Sequence, residues 1–201
     1  MEKTVAFIVR HGSTRLNDEN KYRGQLDVPL DERGKREAKE VAEFLKNQPI
    51  GQAWTSDLRR AKDTAKEILK GRGLKAIPTE KLRPLDSGKF AGKSKDEYKE
   101  QMEYYHEHPE EKIPGGESIN GANNRMRKPL LKAFRAGLRG KPSLVSAHAS
   151  VIHSAGHLLH NNHKAALVKP GGAVKVIYDG EKFKARPIFK AKMEDEKHYA
   201  S

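Results

Sequence analysis

The sequence predicts an α/β protein, a three-layer sandwich with helices on both sides of a largely parallel central sheet. Three observations carry this. Apolar runs of strand length alternate with amphipathic stretches of helical length. The first run, Thr4-Val5-Ala6-Phe7-Ile8-Val9, is apolar at almost every position, as suits a strand buried on both faces. Several runs end in polar residues able to do chemistry, and open α/β sheets bind ligands beyond the carboxyl ends of their strands.

Taken in order, the first strand runs into Arg10-His11-Gly12-Ser13-Thr14, a turn containing glycine. Asp31 to Asn47 follows as an amphipathic helix with Ala38, Val41, Ala42 and Leu45 on one stripe. Gln52 to Thr55 is a short strand, and Ser56 has the chemistry of an N-cap for a helix from Asp57 to about Lys70. Leu74 to Ile77 offers another strand. Leu82 to Lys93, with Pro84, Gly88 and Gly92, reads as loop, and Ser94 to about His106 as helix, broken between His106 and Gly116 by two prolines and two glycines. Ser118 to Leu138 is helical, with a kink or a lost turn expected at Pro129. Ser143 to Ala147 is a strand, and His148 leads into a helix ending near His160. Ala173 to Tyr178 and Phe183 to Phe189 are strands joined around Asp179-Gly180, with antiparallel pairing expected here.

The 201 residues suit one domain over 1–190, followed by a polar, frayed tail over 191–201. Only 35% of the residues are hydrophobic and 33% are charged, which implies a compact core under a heavily charged surface. The absence of cysteine excludes disulfides, thiolate catalysis and cysteine-ligated zinc. The N-terminal segment lacks the apolar stretch of a signal peptide, and no run of about 18 apolar residues occurs, so a cytoplasmic protein without membrane contact is expected. The net charge is +13, and between Ser118 and Tyr178 ten Lys and Arg residues meet no Asp or Glu. Such a field attracts polyanions, nucleic acid included, although a solvated lysine-rich surface explains it more simply.

Phosphoryl transfer needs in-line geometry and positive charge on the equatorial oxygens, which the bidentate fork of arginine supplies. It also needs a nucleophile that is unprotonated near neutrality, which a neutral imidazole can be. Arg10 with His11 at one strand end, Arg60 early in a helix and His148 at another strand end are those parts.

Arg10-His11-Gly12-Ser13-Thr14 followed by Asn17, then Tyr22 to Leu30 with Gly34, Thr55-Ser56-Asp57-Leu58-Arg59-Arg60-Ala61 with Thr64, Pro114-Gly115-Gly116-Glu117-Ser118, and Ser146-Ala147-His148 occur in that order. Together they resemble the histidine phosphatase superfamily, which includes the cofactor-dependent phosphoglycerate mutases, over roughly residues 4–160. An Arg-His-Gly tripeptide alone arises by chance in about one chain in forty of this length; five ordered motifs do not. The resemblance implies a phosphoglycerate mutase-like fold, with His11 as the phosphorylated nucleophile. It implies that Arg10, Arg60 and His148 surround the phosphate, with Asn17 at its oxygens and Arg23 facing phosphate or substrate; Thr14 is a further substrate-binding candidate. Arg59 is expected on the surface.

One departure stands out. Where the family carries a glutamate that protonates the leaving oxygen, two residues after a leucine, this chain has Pro84 after Leu82. Asp86 and Glu117 are the two carboxylates expected to replace it, unless the site works without an acid. His153, His157 and His160 have a spacing that could bind zinc, but a helix face of packed or solvated histidines is the better reading, and no metal site or cofactor is expected. His106 and His108 fall in a segment that could cover the site. The function expected is hydrolysis of a small phosphorylated molecule through a phosphohistidine, without metal. The alternatives are a phosphomutase and a non-catalytic binder of phospholigands or polyanions.

Overall fold

The structure is a computed structural model that describes residues 2–158 and 168–191. In chain order its elements are β1 (Lys3–Arg10), α1 (Arg15–Asp18), α2 (Glu32–Phe44), β2 (Gln52–Ser56), α3 (Arg59–Leu69), β3 (Ile77–Thr79), α4 (Lys99–Glu107), α5 (Ile119–Arg139), β4 (Ser143–Ala147), α6 (Ala149–Leu158), β5 (Ala173–Tyr178) and β6 (Phe183–Phe189). The six strands form one sheet in the order β3-β2-β4-β1-β5-β6. β1, β2, β3 and β4 pair in parallel, whereas β5 is antiparallel to both β1 and β6.

The apolar run of β1 sits mid-sheet, and alternation sends its side chains to opposite faces. Ala6 and Ile8 pack with Met126, Leu130 and Phe134 of α5 and Val151 and Ile152 of α6. Phe7 and Val9 pack with Val41 and Leu45 from the α2 side and Ile68 and Leu69 of α3. These two cores make the three expected layers. A third, small cluster of Phe90, Met102 and Ile113 lies outside them.

Element boundaries moved where tertiary pairing overrode local preference. Ser56 does not cap α3. It stays in β2 because its backbone pairs with Thr79 of β3. Leu58 takes the N-cap position, and the Asp27 carboxylate accepts the Arg59 N–H at 2.7 Å. The strand expected at 74–77 forms at Ile77–Thr79, an edge strand that tolerates Pro78. Residues 94–98 are not helical: Ser94 bridges to Lys21, and the Lys95 N–H donates to the Asn20 carbonyl at 2.9 Å. Pro129 does not interrupt α5, where it is buried among core residues. The one-turn α1 was unforeseen; the Asn17 side-chain oxygen accepts from the Thr14 N–H at 3.1 Å and the Thr14 hydroxyl at 3.0 Å. His160 and the tail beyond Ala191 lie outside the described residues. Among the described residues no helix is long and apolar enough to cross a membrane.

Candidate active site

The parallel register brings the expected site together at the carboxyl edge of the sheet. Arg10, the last residue of β1, lies opposite Ala147, the last of β4, and the His11 N–H donates to the Ala147 carbonyl at 2.9 Å. His11 and His148 are therefore neighbours by construction, with ring centroids 5.1 Å apart at 62°. Arg60 joins them from the first turn of α3. That helix is fixed to β4 by the Ser146 hydroxyl, which donates to the Ala61 carbonyl at 2.8 Å, and to the turn by the Gly12 N–H, which donates to Thr64 Oγ1 at 3.2 Å. The turn itself rests on α2: a Cβ on Gly12 would overlap the Gly34 carbonyl. Buried Glu37 accepts from the Ser13 N–H at 2.6 Å and the Ser13 hydroxyl at 2.9 Å.

His11 is 1% exposed and its Nδ1 lies 2.6 Å from the Gly12 carbonyl oxygen. A carbonyl can only accept, so Nδ1 carries the proton and Nε2 keeps its lone pair. Burial, then His148 and the Arg60, Arg23 and Arg10 charges, hold the His11 pKa well below its usual value. Burial and the same arginines lower His148 likewise, and neither of its ring nitrogens has a partner. Both imidazoles are neutral at pH 7.

Buried Arg60 donates through Nη1 to the Leu26 carbonyl at 2.6 Å and through Nη2 to the Gly24 carbonyl at 3.2 Å, leaving Nε unpaired. Arg10 Nη1 donates to the Val168 carbonyl at 2.8 Å while its Nε is unpaired, and Arg23 Nη1 is buried and unpaired. Burial lowers all three guanidinium pKa values to about 10, and all stay charged near neutrality. Arg59 is exposed, as expected.

A cavity of about 190 Å³ opens on this cluster, lined by His11, Arg23, Arg60 and His148, and also by Lys21, Ser87, Lys95, Met102 and His106. No carboxylate lines it. A larger groove of about 770 Å³ beside α3 and β3 has neither histidine nor arginine in its lining, so size does not mark the chemistry here. Arg10, Thr14 and Asn17 lie outside the cavity lining; Asn17 braces Thr14 and the turn.

Pro84 does line the cavity, but Asp86 and Glu117 do not. Glu117 is committed to Arg125, through Oε1 at 2.5 Å and Oε2 at 3.1 Å, and accepts the Asp86 N–H at 3.0 Å. The Asp86 carboxylate accepts the Gly88 N–H at 3.0 Å. Glu117 thus clasps the 80–117 segment, whereas the Asp86 carboxylate closes a local turn. Arg125, which the motifs did not single out, also donates to the carbonyls of Lys81, Arg83 and Pro84 at 2.9–3.1 Å. Lys95 and Ser87 also line the cavity, although neither was singled out individually.

Among the described residues one group could hold a metal ion, His108 with Glu110 and Glu111, and none of the three lines the cavity. His153 is described, but the side chain of His157 is not. The basic residues Lys128, Lys132, Arg135 and Arg139 fall on the exposed side of α5, outside the cavity.

The family model described as histidine phosphatase superfamily (branch 1) matches residues 6–186. A protein named Probable phosphoglycerate mutase GpmB from Cronobacter sakazakii is 36% identical over 145 residues, 70% of this chain and 67% of its own. Its namesake from Klebsiella pneumoniae is 34% identical over the same shares. Among solved structures, a phosphoglycerate mutase from Thermus thermophilus superposes with a TM-score of 0.70 at 27% identity, over 96% of this chain and all of the other. A mycobacterial glucosyl-3-phosphoglycerate phosphatase reaches a TM-score of 0.77 at 24% identity over 94% of this chain and all of its own, a likeness of fold.

Proposed function

The chain belongs to the histidine phosphatase superfamily, and from that premise we propose that it hydrolyses a small phosphomonoester through a phosphohistidine on His11. The observation that carries this reading is the state of His11: its Nδ1 proton is committed to the Gly12 carbonyl, and burial keeps the ring neutral. The Nε2 lone pair is thereby available to attack phosphorus. Arg60 and Arg23, which line the cavity, stabilise the charge on the equatorial oxygens, Arg10 adds positive charge from the end of β1, and neutral His148 offers an N–H to one of the oxygens. Water then attacks the phosphohistidine, releasing phosphate and restoring the imidazole.

The arginines supply the positive charge a metal ion would otherwise bring, so turnover in excess chelator is expected to match turnover without it. The names of the 36% and 34% identical relatives favour a second reading, a mutase that returns the phosphoryl group to another substrate oxygen. One measurement tests the phosphohistidine that both readings share, and a second separates them. Rapid quenching with labelled substrate is expected to give an acid-labile, alkali-stable phosphoenzyme that is absent in His11→Ala, with turnover reduced at least about 10⁴-fold. Labelling that survives the substitution removes the mechanism. In ¹⁸O-water the hydrolase releases labelled inorganic phosphate; isomerised phosphoester with no free phosphate identifies the mutase.

A further inference from the structure

The missing acid at Pro84 leaves a chemical requirement unmet. An alkoxide is too basic to depart readily from phosphorus without a proton, so an alkyl phosphate needs a donor opposite the nucleophile. The cavity lining holds few candidates. The hydroxyls of Ser87 and Ser150 are far too weak as acids. Tyr22 is raised above its usual pKa by burial and by Glu103 and Asp96, which makes it a poorer donor still. Lys21 is committed to Glu19 at 2.8 Å. His148 is neutral, and its remaining N–H is not acidic near neutrality. Lys95 and His106 remain.

Lys95 is the better placed of the two. His106 is exposed on α4, whereas Lys95 is half-buried in the cavity wall and its ammonium has no hydrogen-bond or ion partner among the described residues. Its backbone is also held. The Lys95 N–H donates to the Asn20 carbonyl at 2.9 Å, Ser94 bridges to Lys21, and Asn20 Nδ2 donates to both Asp96 oxygens at 3.0 Å. This pairing abolished the helix expected over 94–98, and it presents Lys95 to the cavity instead.

We propose that Lys95, in place of the carboxylic acid absent at Pro84, is the catalytic proton donor to the leaving oxygen. The inference rests on the phosphohistidine reading above. As His11 Nε2 bonds to phosphorus, the P–O bond to the alcohol breaks, and its electron pair takes a proton from Lys95 Nζ. The neutral amine then removes a proton from the attacking water as the P–N bond breaks and its electrons return to His11. The sum is phosphoester plus water giving alcohol plus phosphate, with Lys95 again an ammonium. Burial, followed by the charges of Arg23 and Arg10, lowers the Lys95 pKa, with Asp96 opposing; the other charged or titratable residues lining the cavity are His11, Lys21, Tyr22, Arg60, His106 and His148. A lysine whose proton is loosened in this way suits both halves of the cycle.

The decisive comparison is between Lys95→Arg and Lys95→Met, each assayed on an alkyl phosphate and on nitrophenyl phosphate, whose leaving group departs unaided. Arginine keeps the charge but cannot give up its proton. Both variants are expected to lose about 10²–10⁴-fold in kcat on the alkyl ester and less than about tenfold on the aryl ester. The basic limb of the alkyl kcat–pH profile is expected to disappear in both. Alkyl turnover preserved in Lys95→Arg but lost in Lys95→Met overturns the proposal and makes Lys95 an anion-binding group. A leaving-group-selective loss in His106→Gln, Asp86→Asn or Glu117→Gln instead of the Lys95 variants also overturns it, by naming another donor. The phosphoenzyme trap is read in parallel: no phosphohistidine in the parent protein refutes the underlying reading, whereas a normal trap with unselective Lys95 losses refutes this inference alone.

Discussion

The floor of the site and its wall are built by different physics. The floor comprises the turn at Arg10–Thr14, the first turn of α3 and the end of β4. Its polar groups are bonded to neighbouring elements: the Gly12 N–H to Thr64, Ser13 to Glu37, the Ser146 hydroxyl to Ala61 and the His11 N–H to Ala147. The wall, from Leu82 to Glu117, has a small apolar cluster of its own in Phe90, Met102 and Ile113. It is tied down by polar clasps, Arg125 with Glu117 on one side and Asn20 with Asp96 on the other. A floor welded into the main cores can hold reacting atoms in register, while a clasped wall can change sequence without unfolding the protein. The substitution of proline for an expected acid falls in the wall, where this difference allows it.

The sharpest way to break this comparison is in the floor. Arg60→Met removes a buried guanidinium from the proposed phosphate position and is expected to lower kcat by about 10²–10³-fold, with the fold retained by circular dichroism. A fall of less than tenfold would show that the floor does not hold the transition state. The next contrast sets the two kinds of fastening against each other. Glu37→Ala strands the buried Ser13 N–H and is expected to cost about 1–3 kcal/mol in denaturant unfolding, lowering kcat as the turn loosens. Arg125→Met is expected to raise KM more than it lowers kcat, because the clasps shape the wall and leave the nucleophile in place. Equal kcat losses in the two variants would erase the distinction between floor and wall.

A smaller effect comes from pH. Burial lowers the pKa of His11 and His148 in the folded protein, so below the unfolded value near 6.5 the unfolded chain binds more protons. Stability is then fully present above pH 6.5 and falls as pH drops toward the folded pKa values, by at most about 1.4 kcal/mol per histidine per pH unit. The melting temperature of the parent protein is expected to fall between pH 7 and pH 5, and less steeply in His148→Asn. Identical slopes would mean that the His148 environment does not penalise its charge.

Much of this was legible in the chain. The apolar run of β1, the strand at Ser143–Ala147 and the two C-terminal strands could be read because their pattern is local and tertiary contacts reinforce it. That His11, Arg60 and His148 would gather could be read because strand ends and helix starts meet at one edge of such a sheet, and because the ordered motifs resemble those of the superfamily. Asp86 and Glu117 were singled out as carboxylates near the right place in sequence. Which way a loop side chain points, and what it bonds to, depends on partners far along the chain: Arg125 claims Glu117, and residues 20–21 claim 94–95. The sequence by itself therefore determined the α/β class, the polar strand ends and the histidines and arginines that gather there, all consequences of periodicity and residue chemistry. Only the tertiary structure decided that Arg125 claims Glu117 and that Lys95, its ammonium without a partner among the described residues, lines the cavity, because loop pairing is set by long-range contacts that no local pattern encodes.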